Sequence, residues 1–203
     1  MKKIAFLYVL MVLLIIGCSG IDDVNDSPLA LISDEFDYPS FNAPQEWDVI
    51  TVTEELEMKK HDLYNPENNE FYDIPLSYII EFGKKTEENE YNQEEYLEIL
   101  NAQNEEQGKW GKTILYAHSS KEDYGSLGIG REPYPRLDSR ALEDEDFLTE
   151  EISIEGVDVV YSQLGNNHLF LWERDKLYYD LYILETSQKL EEILDIVGGF
   201  IEK

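Results

Sequence analysis

Between Ile152 and Ile183 this chain sets four apolar runs so close together that few connections are open to them. Ile152-Ser153-Ile154 leads through Gly156 to Val157-Asp158-Val159-Val160-Tyr161, and the turn-like Leu164-Gly165-Asn166-Asn167 follows. Next come Leu169-Phe170-Leu171-Trp172-Glu173, the two-residue turn Arg174-Asp175, and Leu177 to Ile183. A parallel crossover needs a dozen or more residues, whereas antiparallel strands join through two. The spacing therefore predicts an antiparallel meander. From about Ser187 the period changes: Leu190, Ile193, Leu194, Val197 and Ile201 recur at helical spacing and form one apolar face. Thr186 or Ser187 suits the N-cap, and Glu191 and Glu192 suit the positive end of the helix. A helix with one apolar stripe must bury it, so the expected fold is α+β, an antiparallel sheet packed by a C-terminal amphipathic helix.

Upstream the signals are sparser. Trp47 to Thr53, Leu76 to Phe82 and Thr113 to Ala117 read as strands, being β-branched or aromatic. Tyr64 to Asn69 reads as a turn, and Asn92 to Gln103 as a short helix with Asn92 as N-cap and Tyr96, Leu97, Ile99 and Leu100 clustered. Residues 119–140, with Gly125, Gly128, Gly130, Pro133 and Pro135, read as a loop. The Asp-, Ser-, Asn- and Pro-rich stretch from Ser19 to Pro44 reads as a tether, although Leu29, Leu31, Ile32, Phe36 and Phe41 suit an arm packed on the domain.

The N-terminus speaks of location. Lys2 and Lys3 precede thirteen apolar residues, Ile4 to Ile16, then Gly17 and the sole cysteine, Cys18. A basic start, a short apolar run and a small residue have the layout of a secretory signal peptide. The run falls short of the roughly 20 residues of a spanning helix. Ile15-Ile16-Gly17-Cys18 resembles a bacterial lipobox, which implies cleavage before Cys18 and lipid on its sulfur. One unpaired cysteine is anomalous in an oxidising compartment, and lipidation would remove the anomaly. The expected organisation is a signal peptide over 1–17, a lipidated Cys18 and acidic tether over 18–44, and an extracytoplasmic domain over 45–203. A Gram-positive cell membrane is favoured, with the periplasmic side of a Gram-negative membrane as the alternative.

The pattern Ile154-x-Gly156-Val157-x-Val159-x-Tyr161, then Leu169 to Glu173, then Leu177-Tyr178-Tyr179-Asp180-Leu181 and a terminal helix resembles a domain family of unknown function. That family occurs in the extracytoplasmic parts of Gram-positive anti-sigma factors and of secreted or lipid-anchored proteins. The resemblance is strongest over 152–203. Trp172 and Tyr178 stand where the family has a Trp on one hairpin strand and a Tyr on the next. It implies a fold but no sigma-factor role, activity or ligand, because the cytoplasmic segment and spanning helix are missing.

Charge narrows the partners. Cleavage would remove Lys2 and Lys3 from 16 basic side chains and none of 44 acidic ones, taking the net charge from −28 to −30. Such a surface repels nucleic acid and anionic headgroups, so no nucleic-acid partner is expected. With fourteen tyrosines and three tryptophans the chain has ample apolar material to fold.

Catalytic patterns are weak. Glu106 to Thr113 ends like a P-loop but has Glu106 where that loop needs glycine, and Gly125 to Gly130 has the wrong spacing for a dinucleotide site. His61, His118 and His168 are widely separated, and no His-Glu-x-x-His or Gly-x-Ser-x-Gly occurs. Asp22 to Asp26 and Glu143 to Asp146 carry oxygen ligands without the glycine and distal Glu of an EF-hand, as solvated charge runs do. No cofactor or metal is expected. Trp172, Tyr178 and Tyr182 could line a ligand cleft, and are also ordinary fillers of half-buried strands.

The leading expectation is a membrane-anchored, non-catalytic binding or interaction domain, attached through lipid on Cys18 and contacting another envelope protein or a ligand. The alternatives are a carrier or chaperone for an apolar ligand in a sheet–helix cleft, and a hydrolase whose paired carboxylates meet only in three dimensions.

Overall fold

The two-residue links close as antiparallel hairpins. β5 (Thr149–Ile154), β6 (Val157–Leu164), β7 (Asn167–Arg174) and β8 (Leu177–Ile183) follow one another in a meander. The last turn lies one residue later than expected, at Asp175-Lys176, where both residues have positive φ (51° and 68°). That geometry matches the right-handed twist of the flanking strands. The structure is a computed structural model that describes residues 27–32, 36, 42–133, 149–184 and 188–201. The segment expected to be a signal peptide, Cys18, the acidic run 143–146 and the expected helix cap at Thr186 or Ser187 lie outside the described residues.

The other strands are β1 (Asp48–Lys60), β2 (Glu70–Lys85), β3 (Lys112–Ala117) and β4 (Ser120–Gly130). Among the described residues all eight form one antiparallel sheet, in the order β3-β1-β2-β4-β8-β7-β6-β5. Among the described residues two α-helices join them: α1 (Glu94–Gly108) before β3, and α2 (Leu190–Ile201) after β8. The fold is α+β, with α2 packed on the sheet.

One row of partnered residues crosses every strand: Tyr116, Val52, Ile80, Leu127, Leu181, Phe170, Tyr161 and Glu150. Alternation puts Phe82, Ile129, Tyr179, Trp172 and Ile183 on the same face, and all of these are buried. α2 covers that face with Ile193, Val197, Phe200 and Ile201. The Phe200 ring meets Phe82 at 5.5 Å and Trp47 at 6.1 Å. Phe200 takes the inward place expected of Leu190, which is exposed. Arg174 donates a hydrogen bond to the Ile201 carbonyl, satisfying a group that the helix end leaves free.

Residues from Leu31 onward form one compact unit. Within it Ile32 and Phe36 are buried, and Phe36 meets Tyr78 edge-on at 5.0 Å with the Arg131 guanidinium 5.1 Å above its ring. The Asn42 amide donates to the Gly199 carbonyl at 2.7 Å.

Two expectations are corrected. Gly125 to Gly130 is no flexible loop but the inner half of β4, buried between β2 and β8. Its glycines let β8 approach: a Cβ on Gly125 would lie 2.3 Å from the Tyr182 carbonyl oxygen, and one on Gly128 2.3 Å from the Asp180 carboxylate. Asn92 is not the cap of α1. The helix begins after Gln93 and runs on to Gly108, while the Asn89 side chain accepts from the Tyr91 amide in the preceding 3-10 turn.

Candidate functional site

β1 and β2 outgrow their neighbours. β3 pairs with β1 only over Thr51–Glu55, and β4 pairs with β2 only over Ser77–Lys85. Beyond them Leu56–Lys60 and Glu70–Pro75 pair only with each other, as a two-stranded ribbon. At about 3.4 Å per residue, five residues carry it roughly 17 Å past the flanking strands.

An isolated ribbon is marginal in water, so this one is braced from the side. The turn after α1 lies against it: the Leu56 amide donates to the Gly111 carbonyl at 2.9 Å, and the Asn69 side-chain amide to the Lys109 carbonyl at 2.8 Å. The Phe71 ring occupies the space where a Cβ on Gly111 would stand, and Gly111 has φ 74°. The Lys109 ammonium pairs with Glu106 at 2.9 Å and Glu67 at 3.0 Å. Those two partners, Glu106 foremost, raise its pKa. The P-loop-like segment is thus a buttress whose two lysines are both engaged by carboxylates, Lys112 by Glu55 at 3.5 Å.

The tip is fixed as well. The Asp62 carboxylate accepts from the Tyr64 amide (3.1 Å), the Asn65 amide (3.0 Å) and the Asn68 side chain (3.1 Å). These bonds, that from Asn68 first and that from Asn65 next, hold its pKa below the usual value. Asn69 accepts from the Asp62 amide at 2.6 Å. On this frame Leu63 is 68% and Tyr64 100% exposed. Register shifts between Leu56 and Lys60 give β2 a bulge, and Tyr72, Asp73 and Ile74 are all exposed where regular alternation would turn one inward. Of seven exposed large apolar side chains among the described residues, Leu63, Tyr64, Tyr72 and Ile74 lie on this ribbon. Single exposed apolar residues are ordinary, but their gathering on one braced projection is not.

The aromatic residues expected at a cleft are divided by the pleat. Trp172 pairs with Tyr179, stacks on it at 5.1 Å and is buried on the helix-covered face. Tyr178 and Tyr182, paired with Glu173 and Leu169, belong to the opposite face and are half-buried. Tyr182 accepts from the Asn167 side chain at 2.7 Å.

His61, His118 and His168 remain apart. His61 meets Trp110 edge-on, and His118 Nδ1 lies 2.9 Å from the Ser119 carbonyl. His168 is buried beside Tyr161, with its Nδ1 2.9 Å from the phenol oxygen. Burial lowers the His168 pKa and raises that of Tyr161, which Glu150 raises further. A cleft of about 350 Å³ lies beside this pair, lined by Glu150, Tyr161, Ser162, Gln163 and Gly165.

Among the described residues, no three His, Cys, Asp or Glu side chains gather to hold a metal ion, and no helix is long and apolar enough to cross a membrane. The turn at the ribbon tip was legible in sequence, while the strands carrying it and the Tyr161–His168 contact were not. Comparison with known proteins gives no match: no family model fits the chain, and no curated protein and no solved structure matches it.

Proposed function

We propose that this chain is an extracytoplasmic lipoprotein, held at a membrane by lipid on Cys18, and that it acts as a non-catalytic interaction module. Its contact surface is the projecting β1–β2 ribbon, which engages another envelope protein. One observation carries this reading: Leu63, Tyr64, Tyr72 and Ile74 are exposed on a ribbon that side-chain bonds and the α1 buttress hold in one shape. A rigid apolar projection loses little conformational freedom on docking, so more of its burial appears as affinity. Tyrosine on such a surface suits a binding anchor.

The test is site-specific photocrosslinking in intact cells. A photoreactive residue at Tyr64 or Tyr72 should give a discrete adduct, and one at Ile99, exposed on α1, should not. Equal labelling at all three positions would sink the ribbon as a contact surface. Metabolic labelling with an alkynyl fatty acid tests the anchor separately. Label should reach the wild-type chain, and Cys18→Ser should lose both label and membrane fractionation.

A further inference from the structure

The two outer edges of the sheet are finished differently. On β3 the Asn104 side chain accepts from the Ile114 amide at 2.7 Å and donates to its carbonyl at 3.2 Å, as a neighbouring strand would. Asn89 similarly donates to the Ala117 carbonyl and accepts from the Ser119 amide, both at 3.1 Å. These asparagines occupy an edge that would otherwise pair with another chain.

β5 has no such cover among the described residues. Its register fixes which groups face outward. The type I′ turn at Glu155-Gly156 (φ 51° and 79°) closes on the pair Ile154–Val157. Hydrogen-bonded and non-bonded pairs then alternate, so Ile154, Ile152 and Glu150 exchange bonds with β6, while Ser153 and Glu151 point their amides and carbonyls away from it. At the start of this strand lies the cleft lined by Glu150, Tyr161, Ser162, Gln163 and Gly165. Its chemistry is that of an acceptor. Gln163 spends its side-chain amide on the Gly165 carbonyl at 3.0 Å, which leaves the Gln163 side-chain oxygen and the Glu150 carboxylate to receive donors. Among the described residues no lysine or arginine lines it. Glu150 sits across from Tyr161, so a residue placed opposite Glu150 on an added strand would project on the same face.

We propose that the β5 edge and this cleft together form a strand-addition site for an extended protein segment bearing a lysine or arginine. The segment's backbone pairs with Glu151 and Ser153, and its cationic side chain lies against Glu150 and Gln163. Backbone pairing supplies affinity and the cleft supplies selectivity, the division of labour seen in strand addition generally. The net charge of −28 favours a basic partner. The site is separate from the ribbon and does not depend on it.

Selection of random displayed decapeptides on the full-length chain tests the proposal. Enriched peptides should alternate β-branched residues around one lysine or arginine. Glu150→Gln should weaken their binding by about ten-fold or more, a change of about 1.4 kcal/mol. Glu151→Pro removes one outward amide at an edge position that tolerates proline, and should abolish binding while the circular dichroism spectrum and melting temperature hold. Should that variant misfold, methylating the peptide amide that faces the Glu151 carbonyl should abolish binding to the unmodified chain. Leu63→Ser with Tyr64→Ser should leave peptide binding unchanged, which separates this site from the ribbon. Failure to enrich peptides, equal binding by Glu150→Gln, or indifference to amide methylation would each overturn it.

Discussion

The strands β5 to β8 are six to eight residues long, linked by two-residue turns and paired without a register shift. Strands β1, β2 and β4 are eleven to sixteen residues long and shift register repeatedly against their partners. The first set is half of a sheet built for burial, with β7 and β8 inaccessible along most of their length. The second is built for reach, since β1 and β2 leave the core and end in an exposed tip. The difference teaches that one sheet can hold a stable half and a presenting half, provided something spans both. Here α2 does, with Phe200 on Phe82 and Trp47 of one half, and its terminal carbonyl on Arg174 of the other.

The sharpest way to break this arrangement is Phe200→Ala. Removing a buried aromatic side chain should cost about 3–5 kcal/mol, read as a lower denaturant midpoint at unchanged slope. A loss under about 1 kcal/mol would mean that the halves hold together without the helix. Next comes the seam where β4 meets β8. Gly128→Ala would drive a methyl group into the Asp180 carboxylate and should cost about 1–3 kcal/mol. Gly108→Ala, where a methyl meets nothing within 4 Å, should be neutral or stabilising by up to about 1 kcal/mol. Equal effects at the two glycines would refute the close approach of β8.

Asn104→Ala should cost about 1 kcal/mol for two lost hydrogen bonds. It also uncovers the β3 edge, so sedimentation should show new concentration-dependent association. A smaller effect distinguishes the halves by pH. Burial lowers the His168 pKa from its ordinary 6.5. As pH falls through 6.5 the unfolded chain therefore takes up a proton that the folded chain refuses, and stability falls with it. In His168→Gln the melting temperature between pH 7.5 and 5.5 should be flatter than in wild type. Asp62, whose pKa is held down in the ribbon tip, acts at lower pH: its contribution is present above about 3.8 and is lost as pH falls below. A parallel pH course for the two proteins would show that His168 titrates freely. Smallest of all, Leu63→Ser with Tyr64→Ser should change stability by no more than about 0.5 kcal/mol. A larger loss by calorimetry would make the tip part of the core rather than a presenting surface.

The same division explains what could be read in advance. In β6 to β8 the apolar alternation and the turns coincide, so the meander and the helix that covers it were legible. β4 was not, because Gly125, Gly128 and Gly130 carry no side-chain pattern, and the reason for Gly125 and Gly128 lies in Tyr182 and Asp180, far along the chain. The ribbon was half legible. Leu56 and Met58 alternate with Glu55, Glu57 and Lys59, but so many charges lower the β-propensity of the segment, and only tertiary bracing makes it a strand. Beside the β5 cleft, Tyr161 and His168 come together through the β6–β7 register, which no local signal in either residue reveals. Trp172, Tyr178 and Tyr182 show the converse: their polarity pattern suggested one surface, and the two-residue pleat divided them.

The seam has a consequence for the time course of folding. β4 ends at Gly130, but the strand that completes its hydrogen bonds ends at Ile183. At 5–20 residues per second, synthesis leaves an interval of roughly 3–10 s in which β4 exists without β8. During it Leu127 and Ile129 lie on an edge that glycines leave almost bare of obstructing side chains. Ribosome-arrested chains with β4 outside the ribosome and β8 still within it should therefore recruit chaperones more strongly than chains released beyond Ile183, because the nascent half-sheet waits for its closing strand.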